Sequence, residues 1–277
     1  MTTDLRSTLG AERPLVGMVH LPPLPGSPGY PGSAGDRESI RECARADARA
    51  LADGGVDAVL VENYGDAPFY PESVPAHVVA DVTAAVRAVE RAVECPVGVN
   101  VLRNDAEAAL SAAAAGGGEF IRVNVHTGAA VTDQGVIEGK AHETLRLADR
   151  IDAGDLALFA DVDVKHAAPL GDRPFRERTR DLVERGGVDG VVVTGEATGE
   201  PTPVDAVRRT REAVADAGAE GTPVLVGSGV TPDNVREILA AADGAIVGTS
   251  LKESGVTEHP VDSDRVRALV AAADEVR

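Results

Sequence analysis

The chain has 277 residues, of which 43% are apolar, so it can bury a full core, which excludes global disorder. Its formal net charge of -18 argues against nucleic acids and anionic lipid surfaces as partners, because both would be repelled. No apolar run approaches the roughly 20 residues of a membrane helix, and the charged N-terminus lacks the apolar segment of a secretion signal. We therefore expect a cytoplasmic protein without a membrane partner.

The composition also bears on the salt environment and on cysteine chemistry. Only three lysines are present, Lys140, Lys165 and Lys252, and an acidic, lysine-poor, alanine-rich chain is typical of salt-loving organisms, where high salt screens self-repulsion. A GC-rich genome also favours arginine and alanine over lysine, but it does not explain the acidity. Cys43 and Cys95 cannot form a disulfide framework or a multi-cysteine zinc site, and we expect them to be small buried residues.

Short β-branched runs alternate with stretches rich in alanine, arginine and glutamate along the whole chain. The predicted strands are Leu15–Val19, Ala58–Val61, Val97–Val101, Phe120–Val125, Leu158–Val164, Gly190–Val193, Val224–Val226 and Ala245–Val247. The predicted helices are Glu38–Asp53, Ala76–Val93, Ala106–Ala115, Ala141–Ile151, Phe175–Arg185, Val204–Ala217, Pro232–Ala240 and Asp262–Val276.

Eight strand–helix units in roughly 250 residues predict an α/β fold, the (β/α)8 TIM barrel, as a single domain over residues 1–277. Residues 1–13 are predicted to be an N-terminal extension. Residues 21–37 form a long first βα loop, on the face where barrel loops carry function. A doubly wound open sheet is the rival architecture, but no G-x-G-x-x-G motif follows the first strand.

Three central strands place polar residues where a structural barrel would carry valine, isoleucine or leucine. If alternate residues face the interior, the inward set is Asn100, Arg122, Asn124, His126, Asp161, Asp163 and Lys165. Asn100, Asn124 and His126, together with His166 in the following loop, are candidate substrate-binding residues. A buried ion pair between Arg122 and Asp161 is the structural alternative for the deeper positions.

Asp163 and Lys165 lie two residues apart near the predicted carboxyl end of the fifth strand, where barrel active sites are found. An apolar interior would lower the pKa of Lys165 and make it a nucleophile or base, whereas Asp163 would keep it charged as a cation or acid. Its role as nucleophile, acid or phosphate counter-ion stays open.

Two further ionisable residues follow the first two strands. His20 follows the first strand and Glu62 the second, and both are candidate catalytic residues. Glu62 and Asp163 could form an acid–base pair or bind Mg²⁺, the one cofactor that the residues suggest. No spacing of histidine and carboxylate residues predicts a zinc site.

Glycine-rich turns follow the seventh and eighth predicted strands, the two places where phosphate-binding barrels hold their anion. Glycine lets backbone N–H groups approach a phosphate, and neighbouring hydroxyls can add donors. The predicted phosphate-binding residues are Gly227, Ser228, Gly229, Gly248, Thr249 and Ser250. Two tight turns with ordinary caps are the alternative.

The sequence also resembles a known family. The run VGMVHLPPLPGSP, from Val16 to Pro28, is similar to the opening signature of the BtpA/SgcQ family, and ADVDVKHA, from Ala160 to Ala167, resembles its mid-barrel segment. The resemblance extends from about Leu15 to Lys252 and, with the acidic composition, suggests a haloarchaeal member. It implies photosystem I biogenesis, sugar metabolism or phosphoribosylanthranilate isomerase activity, and it carries no catalytic residues over.

The residues favour an enzyme that acts on a small phosphorylated substrate, most simply a sugar phosphate. A carboxylate base beside a cation suits proton transfer next to a carbonyl, as in an isomerase, an epimerase, or an aldolase or other lyase. The alternative is a non-enzymatic assembly or regulatory factor that uses the barrel as a scaffold. The oligomeric state is open, with a homo-oligomer as one option.

Overall fold

Eight parallel strands close into a barrel in a computed structural model that describes residues 4–32, 36–163, 166–195 and 202–277. The strands are β1 (Leu15–His20), β2 (Ala58–Glu62), β3 (Val97–Asn100), β4 (Phe120–Val123), β5 (Ala129–Thr132), β6 (Gly135–Glu138), β7 (Ala157–Asp161), β8 (Ala168–Pro169), β9 (Gly190–Val193), β10 (Val224–Val226) and β11 (Gly244–Val247). The barrel runs in the order β1, β2, β3, β4, β7, β9, β10, β11 and back to β1, which confirms the predicted TIM barrel.

Helices follow the barrel strands and cover the outside of the sheet. They are α1 (Leu5–Leu9), α2 (Arg37–Asp53), α3 (Ala76–Glu90), α4 (Ala106–Gly116), α5 (Ala141–Arg150), α6 (Phe175–Arg180), α7 (Val204–Asp216), α8 (Val235–Ala241) and α9 (Ser263–Asp274). Acidic side chains begin several of them: Asp36 accepts the N–H of Ser39, and Asp105 accepts that of Ala108. No helix in these described ranges has the length and apolarity of a membrane span.

The apolar core has two layers. The larger lies between the strands and the helices, and the smaller fills the amino-terminal half of the barrel. There Phe120 and Phe159 meet edge to face with ring centroids 5.8 Å apart. Glycine on the neighbouring strand makes room for each ring, since a Cβ at Gly98 would collide with Phe120 and one at Gly190 would lie 2.5 Å from Phe159.

Helix α1 lies in the predicted N-terminal extension and belongs to the barrel. Its two buried leucines, Leu5 and Leu9, pack in the same cluster as the interior strand residues. Asp4 accepts the N–H of Arg6 at the start of the helix, and Gly10 ends it with φ +85°. The extension thus closes the amino-terminal end of the barrel.

A small antiparallel sheet that the sequence did not predict lies beside the barrel mouth. Strands β5 and β6 form a hairpin after β4, and β8, which follows β7, pairs with the outer edge of β5. Asn104 ties the hairpin to the barrel, because its Nδ2 donates to the carbonyl oxygens of Val125 and Glu138. The loops after β4 and β7 are therefore held together above the sheet.

Two expectations about single residues need correction. Cys43 is exposed rather than buried, because it lies on the outer face of α2. Cys95 is half-buried, and burial raises the pKa of its thiol to about 11. Lys252, by contrast, is 1% exposed, and its Nζ donates to Asp47 Oδ2 at 2.5 Å, so this lysine joins the segment after β11 to α2.

Candidate functional site

A cavity of about 340 Å³ opens at the carboxyl ends of the barrel strands. Its volume falls within the range of pockets for small metabolites, and its position is the one that barrel enzymes use. The turns after β10 and β11 line one side of the cavity. Next around the rim come His20 on β1 and Glu62 on β2, with Tyr64 just after β2, and then Arg103, which follows β3. The cavity therefore brings together side chains from both ends of the sequence.

All six predicted phosphate-binding residues line this cavity: Gly227, Ser228, Gly229, Gly248, Thr249 and Ser250. Gly229 has φ +70°, a conformation that favours glycine. A Cβ at Gly248 would lie 3.0 Å from His20 Cε1, so glycine lets the β11 turn approach His20.

The hydroxyl groups of these turns already have partners within the protein. Ser228 Oγ accepts the N–H of Gly195 at 2.9 Å, and Ser250 Oγ donates to the Val230 carbonyl at 2.6 Å. Thr249 and Thr257 share a hydrogen bond between their hydroxyls at 2.9 Å. These bonds fix the shape of the turns. The Ser250 hydroxyl was predicted to donate to a phosphate, but its hydrogen is already donated to the Val230 carbonyl.

His20 and Glu62 are paired residues of the neighbouring strands β1 and β2. The His20 Nε2 and Glu62 Oε1 atoms are 3.8 Å apart, and each side chain is 9% exposed. The Tyr64 ring packs on His20 with centroids 4.8 Å apart. Burial, together with the nearby carboxylates of Glu258 and Glu62, raises the pKa of Tyr64, so its phenol is protonated at neutral pH. A carboxylate, an imidazole and a phenol thus meet on one wall.

A buried ion pair forms the floor. Arg122 donates from Nε and Nη2 to the two oxygens of Asp161, both at 3.0 Å, and Asn124 Nδ2 donates to Asp161 Oδ2 at 3.0 Å. Burial lowers the pKa of Arg122, but the charge of Asp161 and its hydrogen bonds outweigh burial and raise that pKa above its usual value. The ion pair between Arg122 and Asp161, which the sequence offered as a structural alternative, is therefore present. Arg122 and Asn124 also line the cavity and form its polar floor.

Asp163 does not join Glu62 in the main cavity. Strand β7 ends at Asp161, so the inside–outside alternation on which the prediction rested stops before residue 163. Asp163 lines a second cavity of about 90 Å³, and its Oδ2 lies 3.1 Å from Arg178 Nη2. Burial raises the pKa of Asp163, while the charges of Arg178 and Arg209 act in the opposite direction. The structure therefore places the two carboxylates of the predicted acid–base or Mg²⁺-binding pair, Glu62 and Asp163, in different cavities.

The other predicted residues have different positions. His166, with φ +58°, lines the main cavity, whereas Lys165 lies outside the described residues. Asn100 is fully buried and donates to the Arg122 carbonyl at 3.0 Å. His126 was predicted to face the interior, but β4 ends at Val123, and its buried Nε2 lies 2.9 Å from the Gly186 carbonyl oxygen. Burial lowers the pKa of His126.

Arg103 is a cavity residue that the sequence did not single out, as are Tyr64 and Arg265. It follows β3 by three residues, is 7% exposed, and lines the main cavity beside Phe69 and Leu102. Its signal in the sequence was an arginine just beyond a predicted strand end. No group of three or more histidine, cysteine or carboxylate side chains within the described ranges could hold a metal ion.

The family model of the BtpA family matches residues 11–275. The chain belongs to the BtpA family. It is 44% identical to the photosystem I biogenesis protein BtpA of a Synechocystis strain over 272 residues, covering 98% of this chain and 92% of that protein. It is 48% identical to an uncharacterized protein of Thermococcus kodakarensis, covering 96% and 97% of the two chains. The sgc region protein SgcQ of Escherichia coli is 32% identical, over 99% and 98%.

Solved structures share the fold of this BtpA family member at low sequence identity. A thiamine phosphate pyrophosphorylase from Pyrococcus furiosus superposes with a TM-score of 0.56 at 16% identity and 98% coverage of both chains. A phosphoribosyl anthranilate isomerase from Thermus thermophilus gives a TM-score of 0.53 at 15% identity, covering 95% of this chain and 100% of that one. These likenesses establish the TIM barrel.

Proposed function

We propose that this protein is an enzyme that moves a proton next to a carbonyl group of a small phosphorylated metabolite, most simply a sugar phosphate. The observation that carries the proposal is the composition of one cavity. The glycine-rich turns after β10 and β11 form one wall, and His20 and Glu62 stand on another. A phosphate held on the first wall would fix the reactive carbon near the second, which removes much of the entropic barrier.

In this proposal the phosphate contacts the backbone N–H groups of Gly229, Thr249 and Ser250. Backbone amides are the expected donors because the Ser250 hydroxyl donates to Val230 and the Thr249 hydroxyl pairs with Thr257. Glycine at 229, with φ +70°, keeps the turn free of a side chain where the anion would sit.

Glu62 is the proposed base and His20 the proposed acid. A carboxylate takes the proton from the carbon beside the carbonyl, and an imidazole 3.8 Å away can return a proton to the oxygen or to the neighbouring carbon. The Arg122 guanidinium, which lines the floor, favours the negative charge that develops on the carbonyl oxygen. Lys165 stays a candidate as nucleophile, acid or phosphate counter-ion, and Asp163 has no part in this step.

The comparisons support one part of this proposal, that the protein acts on a small phosphorylated compound. Two barrels of the same fold carry names that refer to phosphorylated compounds, thiamine phosphate pyrophosphorylase and phosphoribosyl anthranilate isomerase. A relative with 44% identity is named for photosystem I biogenesis, and this favours a second candidate, a scaffold or assembly factor without enzymatic activity. A scaffold requires neither a phosphate site nor an acid–base pair, so ligand binding separates the two.

The test is thermal unfolding of the protein with a panel of sugar phosphates and the matching free sugars. A phosphorylated ligand at about 100 times its Kd should stabilise the protein by about 2.7 kcal/mol. Gly229→Val should abolish the stabilisation by phosphorylated ligands and leave any weak stabilisation by free sugars unchanged. Gly218→Val is the matched control, because Gly218 has the same φ of +70°, a Cβ there would meet no described atom within 4 Å, and the residue does not line the cavity. If both variants bind the panel alike, or if no phosphorylated compound binds the wild type, the proposal is wrong.

A further inference from the structure

Arg103 is a buried cation on the wall of the main cavity. Its side chain is 8% exposed, and its guanidinium carbon lies 5.3 Å from the centre of the Phe69 ring. A guanidinium has five N–H donors and stays charged at any physiological pH. Removing such a group from water is costly unless anions or acceptors surround it.

Within residues 4–32, 36–163, 166–195 and 202–277, the side-chain contacts of Arg103 compensate this charge only weakly. Arg103 Nε donates to the neutral Gln134 Oε1 at 3.2 Å, and Nη2 lies 3.8 Å from Asp133 Oδ1, a carboxylate that is 64% exposed. Arg122, in the same cavity, instead has two 3.0 Å bonds to the fully buried carboxylate of Asp161. Arg122 is held by two hydrogen bonds to a carboxylate, whereas no carboxylate among the described residues lies within hydrogen-bond distance of the Arg103 guanidinium.

Arg103 and the glycine-rich turns after β10 and β11 lie on different sides of the barrel mouth. Around the barrel, β3 is separated from β11 by β2 and β1 on one side, and from β10 by β4, β7 and β9 on the other. Arg103 follows β3, so it lies nearly opposite the turns after β10 and β11. A ligand anchored there by its phosphate would direct its far end toward Arg103.

We propose that the substrate carries a second anionic group, a carboxylate or a second phosphate, at the end remote from the anchoring phosphate, and that Arg103 binds it. This inference rests on the proposed function and narrows its substrate class from phosphorylated metabolites to those that carry a second anionic group besides the phosphate. The planar fork of arginine suits both anions, since each can accept two parallel hydrogen bonds. The overall charge of -18 opposes additional negative charge on any ligand, so a preference for the doubly anionic compound must come from the site.

Matched probes test this by calorimetric titration of the full chain. The carboxylate pair is 3-phosphoglycerate and glycerol 3-phosphate, which share three carbons and one phosphate. The second pair is fructose 1,6-bisphosphate and fructose 6-phosphate. In one pair we expect the member with two anionic groups to bind at least about tenfold more tightly than its partner. The pair that shows this preference tells whether the second group is a carboxylate or a phosphate.

Three variants assign the preference to Arg103. Arg103→Met should abolish it, while glycerol 3-phosphate or fructose 6-phosphate binds as before. Gln134→Glu, in the turn between β5 and β6, tests the same point without disturbing the buried residue, because it places a carboxylate against Arg103 and should also reduce the preference. Arg265→Met is the control: this half-exposed cation lines the cavity beside Ser250, and its loss should leave the ratio unchanged.

The outcomes separate this inference from the proposed function. Equal affinity within both pairs overturns the second anion and leaves phosphate binding intact. A preference that survives in both Arg103→Met and Gln134→Glu overturns the role of Arg103. Failure of every phosphorylated probe and of inorganic phosphate to bind overturns both. If Arg103→Met does not fold, Gln134→Glu decides.

Discussion

His126 shows how one buried side chain couples folding to pH. Burial lowers the pKa of His126 below 6.5, and the neutral ring donates from Nε2 to the Gly186 carbonyl. The unfolded chain therefore binds a proton more readily than the folded chain as the pH falls through 6.5. The contribution of His126 to stability is complete above pH 6.5 and is lost as the pH falls toward its folded-state pKa.

Replacing His126 should remove part of the acid sensitivity of the protein. Between pH 7 and 5 the free energy of unfolding should fall more steeply for the wild type than for His126→Gln, by about 1.4 kcal/mol for each unit of pKa difference. Denaturant titrations at several pH values measure this. His142→Gln, the same substitution at an exposed histidine, is the control for the effect of the replacement itself. Parallel profiles for wild type and His126→Gln would contradict the account.

The sequence predicted the positions of some candidate residues correctly and those of others wrongly, for one geometric reason. His20 and Glu62 are the last residues of β1 and β2, so their direction follows from the strand. Asp163 and His126 lie two and three residues beyond the ends of β7 and β4, where alternation no longer applies. Arg103 lies in a loop as well, and only packing against Phe69 and Gln134 directs it to the cavity.

At the scale of elements, the eight barrel strands were predictable because each is a short, mainly apolar run between glycine-rich or charged segments, and all but β7 contain β-branched residues. The sheet of β5, β6 and β8 was not, because β5 and β6 each bury only one residue and therefore lack a clear apolar run, and β8 has only two residues. The pairing of β5 with β8 also joins segments far apart in the sequence.

The close fit between glycine and phenylalanine inside the barrel predicts a specific sensitivity. Gly98→Ala should destabilise the protein by about 1–3 kcal/mol, because the added methyl group would collide with Phe120. Gly154→Ala, at a position where a Cβ would meet no described atom within 4 Å, is the control for the loss of glycine. Chemical denaturation measures both, and the double variant Gly98→Ala with Phe120→Leu should recover part of the loss. Equal stability of Gly98→Ala and wild type would show that the barrel interior is loosely packed.

At the scale of the whole molecule, the charge of -18 predicts a response to salt. Screening shortens the Debye length from about 10 Å at 0.1 M to about 3 Å at 1 M, and this relieves self-repulsion of the folded surface. The midpoint of thermal unfolding should rise as KCl increases from millimolar to molar concentrations. A nonionic osmolyte at equal osmolality is the control for excluded-solute effects. A midpoint that is flat or falls with KCl would contradict adaptation to high salt.

The layers inside the barrel support the cavity at its carboxyl end. Phenylalanine fills the amino-terminal half, an ion pair seals the middle, and the mouth carries the glycine turns opposite Arg103 with His20 and Glu62 on the wall between them. We propose that this arrangement moves a proton on a bound phosphorylated compound.

The most direct test is proton NMR in D2O of each sugar phosphate that stabilises the protein. The wild type should exchange the hydrogen on the carbon next to the carbonyl for deuterium, whatever product follows. Glu62→Gln should slow this exchange by at least ~10²-fold while the ligand still binds, because the amide cannot act as the base. Exchange that persists in Glu62→Gln, or no exchange of any ligand that binds the wild type, would contradict the account.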